Sequence, residues 1–215
     1  MADIQPIRYI VFDLGGVLLN IDQQRTYDKM SEMLGRVFSP EDMTPEMRKL
    51  LLDFETGSIG TEVFIWNIQR MSLGEVPSGN QVAEAWNAML LGWNEETFQV
   101  LDELKRQFKI YLLSNTNELH LQWIRNSLKN QYDIHDWDTR FFDRTFYSHR
   151  VGMRKPDKEI YDHVVESTGI HPENTVFFDD TPANIDAARA AGWQTCLYHP
   201  DDALGEVVRH VLRLT

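Results

Sequence analysis

The sequence predicts an α/β protein, a parallel sheet with helices on both faces and an all-helical block inserted after the first strand. Three observations lead there. An apolar run over residues 7–12, rich in β-branched and aromatic side chains, stops at Asp13 and two glycines, as a buried strand does on entering a tight loop. Residues 22 to about 93 show helical periodicity and no convincing strand. From residue 109 onward, short apolar runs alternate with helical segments, the pattern that builds a parallel sheet covered on both sides.

Taken in order, the first strand places Asp13 at its C-terminal end, which faces the ligand crevice in open α/β sheets. Gly15 and Gly16 then let the backbone approach a ligand closely. Helices are predicted over 22–34, 44–55, 61–71 and 80–91, separated by Gly35, by Gly57 with Ser58, and by the stretch 74–79. The acidic segment 41–46 reads as a helix start whose dipole is complemented. Asn94 is a predicted N-cap for a helix reaching about residue 107. Strands follow at 109–113, 144–147, 175–178 and 194–198, with helices at 118–128, 158–168, 183–191 and 203–214. Residues 1–20 and 94–215 are thus expected to form the core, and 21–93 the inserted helical unit. Trp66, Trp86 and Trp93 fall at helical spacing among apolar residues and read as core. His120, His149 and His163 lack paired metal-ligand spacing and read as structural.

The chain has 215 residues, of which 42% are hydrophobic and 25% charged, enough to bury a sizeable core. A formal charge of -12 argues against nucleic acid or an anionic membrane as partner, because both would repel this field. A phosphate ligand needs only a local cation and stays open. No apolar run reaches the length of a membrane span, and residues 1–6 lack the basic start and apolar core of a signal peptide, so a cytoplasmic protein is expected. Cys196 is the single cysteine, which rules out an internal disulfide, and its apolar neighbours favour a core position. The oligomeric state is left open, a monomer included.

The later strands also end in polar residues. Ser114, Asn115, Thr116 and Asn117 precede a helix, offering either an anion site or ordinary capping. Pro156 suits the first turn of the next helix, which would put Lys155 against the positive end of that helix, an unfavourable place that a nearby anion would explain. Asp179 and Asp180 close a third strand; with Asp13 on the same sheet edge, three carboxylates would share one cleft. A hard divalent cation compensates such a cluster, and Mg²⁺ takes one or two carboxylates with waters and phosphate oxygens.

These four clusters, in this order, resemble the haloacid dehalogenase-like (HAD) hydrolase superfamily. Asp13-Leu14-Gly15-Gly16-Val17 is similar to its first motif, Ser114 to its second, Lys155 to its third and Asp179-Asp180 to its fourth; the inserted helices match the cap of cap-type-one members. Residues 113–117, 152–156 and 176–180 more closely resemble bacterial phosphatases acting on α-D-glucose 1-phosphate. The resemblance implies a Rossmann-like core and a Mg²⁺-dependent phosphatase for a small phosphorylated metabolite, a sugar phosphate such as a hexose 1-phosphate. It implies Asp13 as nucleophile and aspartyl-phosphate carrier. The metal would be held by Asp13, the Gly15 carbonyl and Asp180, with Asp179 direct or through water and Asn184 in support. Phosphate would be held by Ser114, the Asn115 N–H and Lys155.

One position departs from the superfamily pattern. Most of its phosphatases carry an acid/base aspartate two residues after the nucleophile, where this chain has Gly15. Asp22 or a solvent relay is the expected substitute, and Arg25 is a possible substrate contact beside the structural role of a solvated helix face. The alternatives are a haloacid dehalogenase-type hydrolase, against which the paired aspartates speak, and a catalytically silent binding module, for which only Gly15 speaks.

Overall fold

Alternation within the central strands decides the layering. In β1 (Tyr9–Phe12), Ile10 and Phe12 join one apolar cluster and Val11 the other; β4 (Lys109–Ser114) and β6 (Thr175–Asp179) repeat the pattern. Both faces of these strands are therefore buried, as a parallel sheet between helical layers requires. The computed structural model describes residues 6–93 and 95–214. The sheet order is β5-β4-β1-β6-β7, all parallel, with β5 at Arg144–Tyr147 and β7 at Gln194–Leu197. The register aligns Phe12 with Leu112 on one side and Phe178 on the other, so Asp13, Ser114 and Asp179 emerge together from adjacent strands.

Around the sheet lie α5 (Glu95–Leu104), α6 (Glu118–Tyr132), α9 (Lys158–Thr168), α10 (Pro182–Ala190) and α11 (Leu204–Leu212), with the short helices α7 (Trp137–Arg140) and α8 (Ser148–Val151). The last two and the 3₁₀ turn Pro172–Asn174 are too short to show periodicity, and the sequence reading passed over them. The predicted Asn94 cap lies outside the described residues, as do residues 1–5 of the segment read as lacking a leader. No helix among the described residues is long and apolar enough to cross a membrane.

Between β1 and α5 run α1 (Gln23–Leu34), α2 (Pro45–Glu55), α3 (Thr61–Gln69) and α4 (Gly79–Asn87). Their starts follow capping chemistry: Asp22, Thr44 and Ser78 each accept a backbone N–H, and Ser78 with Gln81 completes a capping box. Met30, Leu34, Phe38, Phe54, Phe64, Ile68 and Val82 form a third apolar cluster, joined by Leu119 of α6. Phe54 stacks on Phe64 at 4.1 Å.

Three expectations change here. The insertion is not wholly helical: α4 stops at Asn87, and Leu90–Trp93 forms β3, antiparallel to β2 (Leu19–Ile21). The partner lies some seventy residues away in sequence, so nothing local announces the pairing. Trp66 is exposed, with the Arg70 guanidinium 4.6 Å over its ring, because Phe64 and Ile68 claim the buried stripe of α3. Pro156 is not in the first turn of α9, whose N-cap is Asp157; it sits in a loop after a cis Lys155–Pro156 bond.

Candidate active site

Asp13 leaves β1 with its backbone N–H bonded to the Phe178 carbonyl (2.9 Å), which fixes its height at the sheet edge. Its Oδ1 accepts from the Leu14 N–H (2.7 Å) and meets Lys155 Nζ at 2.8 Å. Among the described residues nothing hydrogen-bonds Oδ2. Burial pushes the Asp13 carboxyl up to about 7, Lys155 opposing and Asp179 adding to the rise.

Lys155 is 1% exposed and is no surface cation. Its ammonium bridges Asp13 and, at 2.7 Å, Asp179 Oδ2. Burial alone would lower its affinity for the proton; the attraction of Asp13 and Asp179 outweighs it and holds the group above its ordinary value. The expected clash with a helix dipole is thus replaced by a buried pairing. Asn115 holds the lysine backbone on both sides: its Nδ2 donates to the Lys155 carbonyl (2.8 Å) and its Oδ1 accepts the Lys155 N–H (2.9 Å).

The two aspartates at the end of β6 are not equivalent. Asp179 is fully buried; it accepts from Thr181 N–H (2.8 Å) at Oδ1, from Asn184 Nδ2 at both oxygens (3.0 Å each) and from Lys155 at Oδ2. Asn184, expected in support of the metal site, hydrogen-bonds Asp179. Asp180 is only half-buried, accepts from the Thr181 hydroxyl (3.2 Å), and its carboxyl is raised by burial and by Asp179. Gly16 is the residue that admits it: φ is +79°, and a Cβ there would collide with the Asp180 carboxylate.

Oxygens of Asp13, Asp179 and Asp180 lie within 4.8 Å of one another. Against three carboxylates stands one ammonium, so the ionised cluster keeps a residual double negative charge. The donor set, all oxygen and partly open at Asp180, fits a hard divalent cation.

A cleft of about 430 Å³ lies over this cluster, its wall including Gly15, Ser114, Asn115 and Asn184. Ser114 is buried, and no hydrogen bond to another described side chain occupies its hydroxyl. Asn117 caps α6 by accepting the His120 N–H (3.0 Å), so capping and a strand-end site coexist. Asp22 and Arg25 do not reach the cleft wall. Asp22 caps α1 and pairs with Arg25 at 3.4 Å. At Gly15 a Cβ would meet Ile21 Cδ1 at 3.3 Å, a tight contact with the end of a side chain.

Glu55 and Arg154, and with them Trp86 and His120, which the sequence reading took as core and structural, line the same cleft. Glu55 of α2 pairs with Arg154 at 2.8 Å, and its carbonyl lies 2.7 Å from the Ser148 hydroxyl, which also accepts the Thr116 N–H (2.8 Å). Thr61 of α3 donates to Glu118 of α6 (2.8 Å). These links tie the helical insertion to the sheet edge. His120 had one available signal, its place in the first turn of a helix that starts at a strand's C-terminal end.

His120 Nδ1 lies 2.8 Å from Asn87 Oδ1, and burial, with His149 adding, drives its pKa down to about 3. A folded pKa below the unfolded 6.5 means the unfolded chain binds the extra proton, so this stability is whole above pH 6.5 and is lost as pH falls toward 3. The melting temperature is expected to drop between pH 7 and 5, and less steeply in His120→Phe; equal slopes in calorimetry would contradict the assignment.

Parallel strands with a lysine-bridged carboxylate cluster at their C-terminal edge make an α/β core with a candidate site for a divalent cation and an anionic ligand. Residues 7–192 match the haloacid dehalogenase-like hydrolase family, and the chain belongs to that family. It is 26% identical over 196 residues to D-ribitol-5-phosphate phosphatase of Bacteroides thetaiotaomicron, covering 88% of this chain and 90% of that protein. It is 27% identical over 187 residues to sesquiterpene phosphatase astK of Aspergillus oryzae, covering 85% of each. A HAD family enzyme of Bacteroides thetaiotaomicron superposes with a TM-score of 0.86 at 29% identity, over 95% of this chain and all of that one. The same enzyme in complex with magnesium and inorganic phosphate superposes at 0.80 and 28% identity, over 94% of this chain and all of that one.

Proposed function

We propose that the protein is a Mg²⁺-dependent phosphatase for small phosphomonoesters, acting through an aspartyl-phosphate on Asp13. The observation that carries this is the asymmetry of the Asp13 carboxylate, with Oδ1 engaged by Lys155 and Leu14 while no described residue hydrogen-bonds Oδ2. Two relatives named as phosphatases and a neighbour in complex with magnesium and inorganic phosphate support it. We assign residues 1–20 and 94–215 to the core and 21–93 to a cap that admits substrate and excludes bulk water, and we place the protein in the cytoplasm.

In this reading Asp13 Oδ2 attacks phosphorus, and the bond from phosphorus to the alcohol oxygen breaks. Ser114, the Asn115 N–H and Lys155 hold the non-bridging oxygens whose charge grows in the transition state. Asp13, the Gly15 carbonyl and Asp180 would ligate Mg²⁺, with Asp179 held back by Lys155 and Asn184. When bound, the cation supplies charge neutralisation between nucleophile and phosphate. Gly15 offers no proton, so the leaving oxygen takes one from solvent, which favours good leaving groups such as an anomeric oxygen. Water then attacks the phosphorus, yielding phosphate and restoring the Asp13 carboxylate.

Phosphate release from sugar phosphates, nucleotides and p-nitrophenyl phosphate is the test. Exchanging Mg²⁺ for EDTA is expected to lower it by about 100-fold or more, since the cation contributes several kcal/mol to the transition state. Release indifferent to EDTA would overturn the metal-dependent mechanism; halide release from haloacids without metal would favour the dehalogenase reading.

A further inference from the structure

The wall that α4 and α6 contribute to the cleft carries hydrogen-bonding groups that the phosphate chemistry leaves unused. His120, 8% exposed, lines the cleft with its Nδ1 engaged by Asn87 Oδ1 at 2.8 Å. An amide oxygen facing Nδ1 keeps the proton on that nitrogen and leaves Nε2 with a lone pair. No described residue donates to Nε2. The imidazole also stacks on Trp86, ring centroids 5.5 Å apart and 4° from parallel. Trp86 lines the same cleft, and its buried indole N–H has no acceptor among the described residues.

His120 thus offers the cleft an acceptor, held in place by Asn87 and by the Trp86 ring behind it, which suits a group that donates a hydrogen bond. A hydroxyl donates one; a hydrocarbon does not and would leave the imidazole nitrogen unpaired. Burial keeps His120 neutral, so it is suited to reading a hydroxyl and not to protonating a leaving group. Asn87 belongs to the helical insertion and His120 to the sheet-packed helix, so the subsite exists only when the two parts meet.

We propose that His120 Nε2, oriented by Asn87 and backed by Trp86, accepts a hydrogen bond from a hydroxyl on the alcohol part of the substrate, selecting polyol or sugar phosphates over apolar alkyl or prenyl phosphates. This rests on the phosphatase reading of the same cleft. Asn87 is a positioning residue and His120 a specificity-determining one.

The test compares a pentitol 5-phosphate, its monodeoxy analogues and n-pentyl phosphate with Mg²⁺, p-nitrophenyl phosphate reporting whether the enzyme is a phosphatase. In wild type, kcat/KM for the pentitol phosphate is expected to exceed that for pentyl phosphate by about 10–100-fold, as for a site built around one hydroxyl. In His120→Phe the ratio should collapse to within about threefold of unity, while His120→Gln, which restores a hydrogen-bonding edge, should keep part of it. Asn87→Ala should lower it in the same direction. A wild-type ratio at or below one, or a ratio unchanged in His120→Phe, overturns the proposal. If His120→Phe fails to fold by circular dichroism, the wild-type analogues decide, because the loss must concentrate at one hydroxyl. Absence of release from every phosphate, p-nitrophenyl phosphate included, would overturn the phosphatase reading and this proposal with it.

Discussion

Asp13→Asn is expected to lower phosphate release by about 10⁴-fold or more, the scale on which removal of a catalytic nucleophile acts. The amide is nearly the same size and can still accept the Leu14 N–H, so the loop geometry should survive. It lacks the charge and the nucleophilic oxygen that Oδ2 supplies. Stability should hold or rise, because one of three crowded carboxylates is gone and Lys155 retains Asp179. Measured kcat and melting temperature separate the two effects. Mass spectrometry of wild type quenched during turnover should reveal a phosphoryl adduct on Asp13. A variant keeping more than about a tenth of wild-type kcat would remove Asp13 from the role.

Lys155→Met is expected to act on folding as well as activity. The side chain is of similar length and apolar, and it fills the buried channel without clash. Removing the ammonium leaves Asp13 and Asp179 buried and uncompensated. Breaking a buried pair in this way costs about 3–5 kcal/mol, a large share of a domain's net stability of about 5–15 kcal/mol. Denaturant unfolding should show that loss. Activity of the folded fraction should fall by at least about 100-fold, because a positive charge aimed at the phosphate oxygens is gone. Adding Asp179→Asn should recover part of the stability but not the activity, since it removes the stranded charge without restoring the cation. Full recovery of both would show that Lys155 serves packing alone.

The sheet was legible because its signals are local and repeated. Phe12, Leu112 and Phe178 sit in short apolar runs whose ends are marked by Asp13, Ser114 and Asp179, and the observed register brings those ends together. The helix starts at Gln23, Pro45 and Glu118 were legible for the same reason, since Asp22, Thr44 and Asn117 cap them within three residues. Trp66, predicted as core, shows the limit of such reasoning: spacing two residues from Phe64 reverses its face, and only the packing of α3 on its neighbours reveals which stripe is buried.

Chemistry that depends on distant residues was not legible. Asp22 lay close in sequence to the nucleophile, yet the turn into α1 directs it to a cap and to Arg25. Asn184 was expected in support of the metal site, and only the strand-to-helix turn shows that its amide reaches Asp179. His120 and Trp86 read as structural because their significance lies in each other and in Asn87, across the junction of insertion and core.

By itself the sequence determined the α/β class, the order of the four polar clusters and their position at strand ends, because hydrophobic periodicity and capping act over a few residues. The tertiary structure alone decided that Lys155 is buried between two carboxylates, that Asp180 is the more open of the aspartate pair, and that a neutral histidine lines the cleft. Those outcomes follow from burial and from charges brought together across the fold, and both quantities come into existence only when the chain has closed on itself.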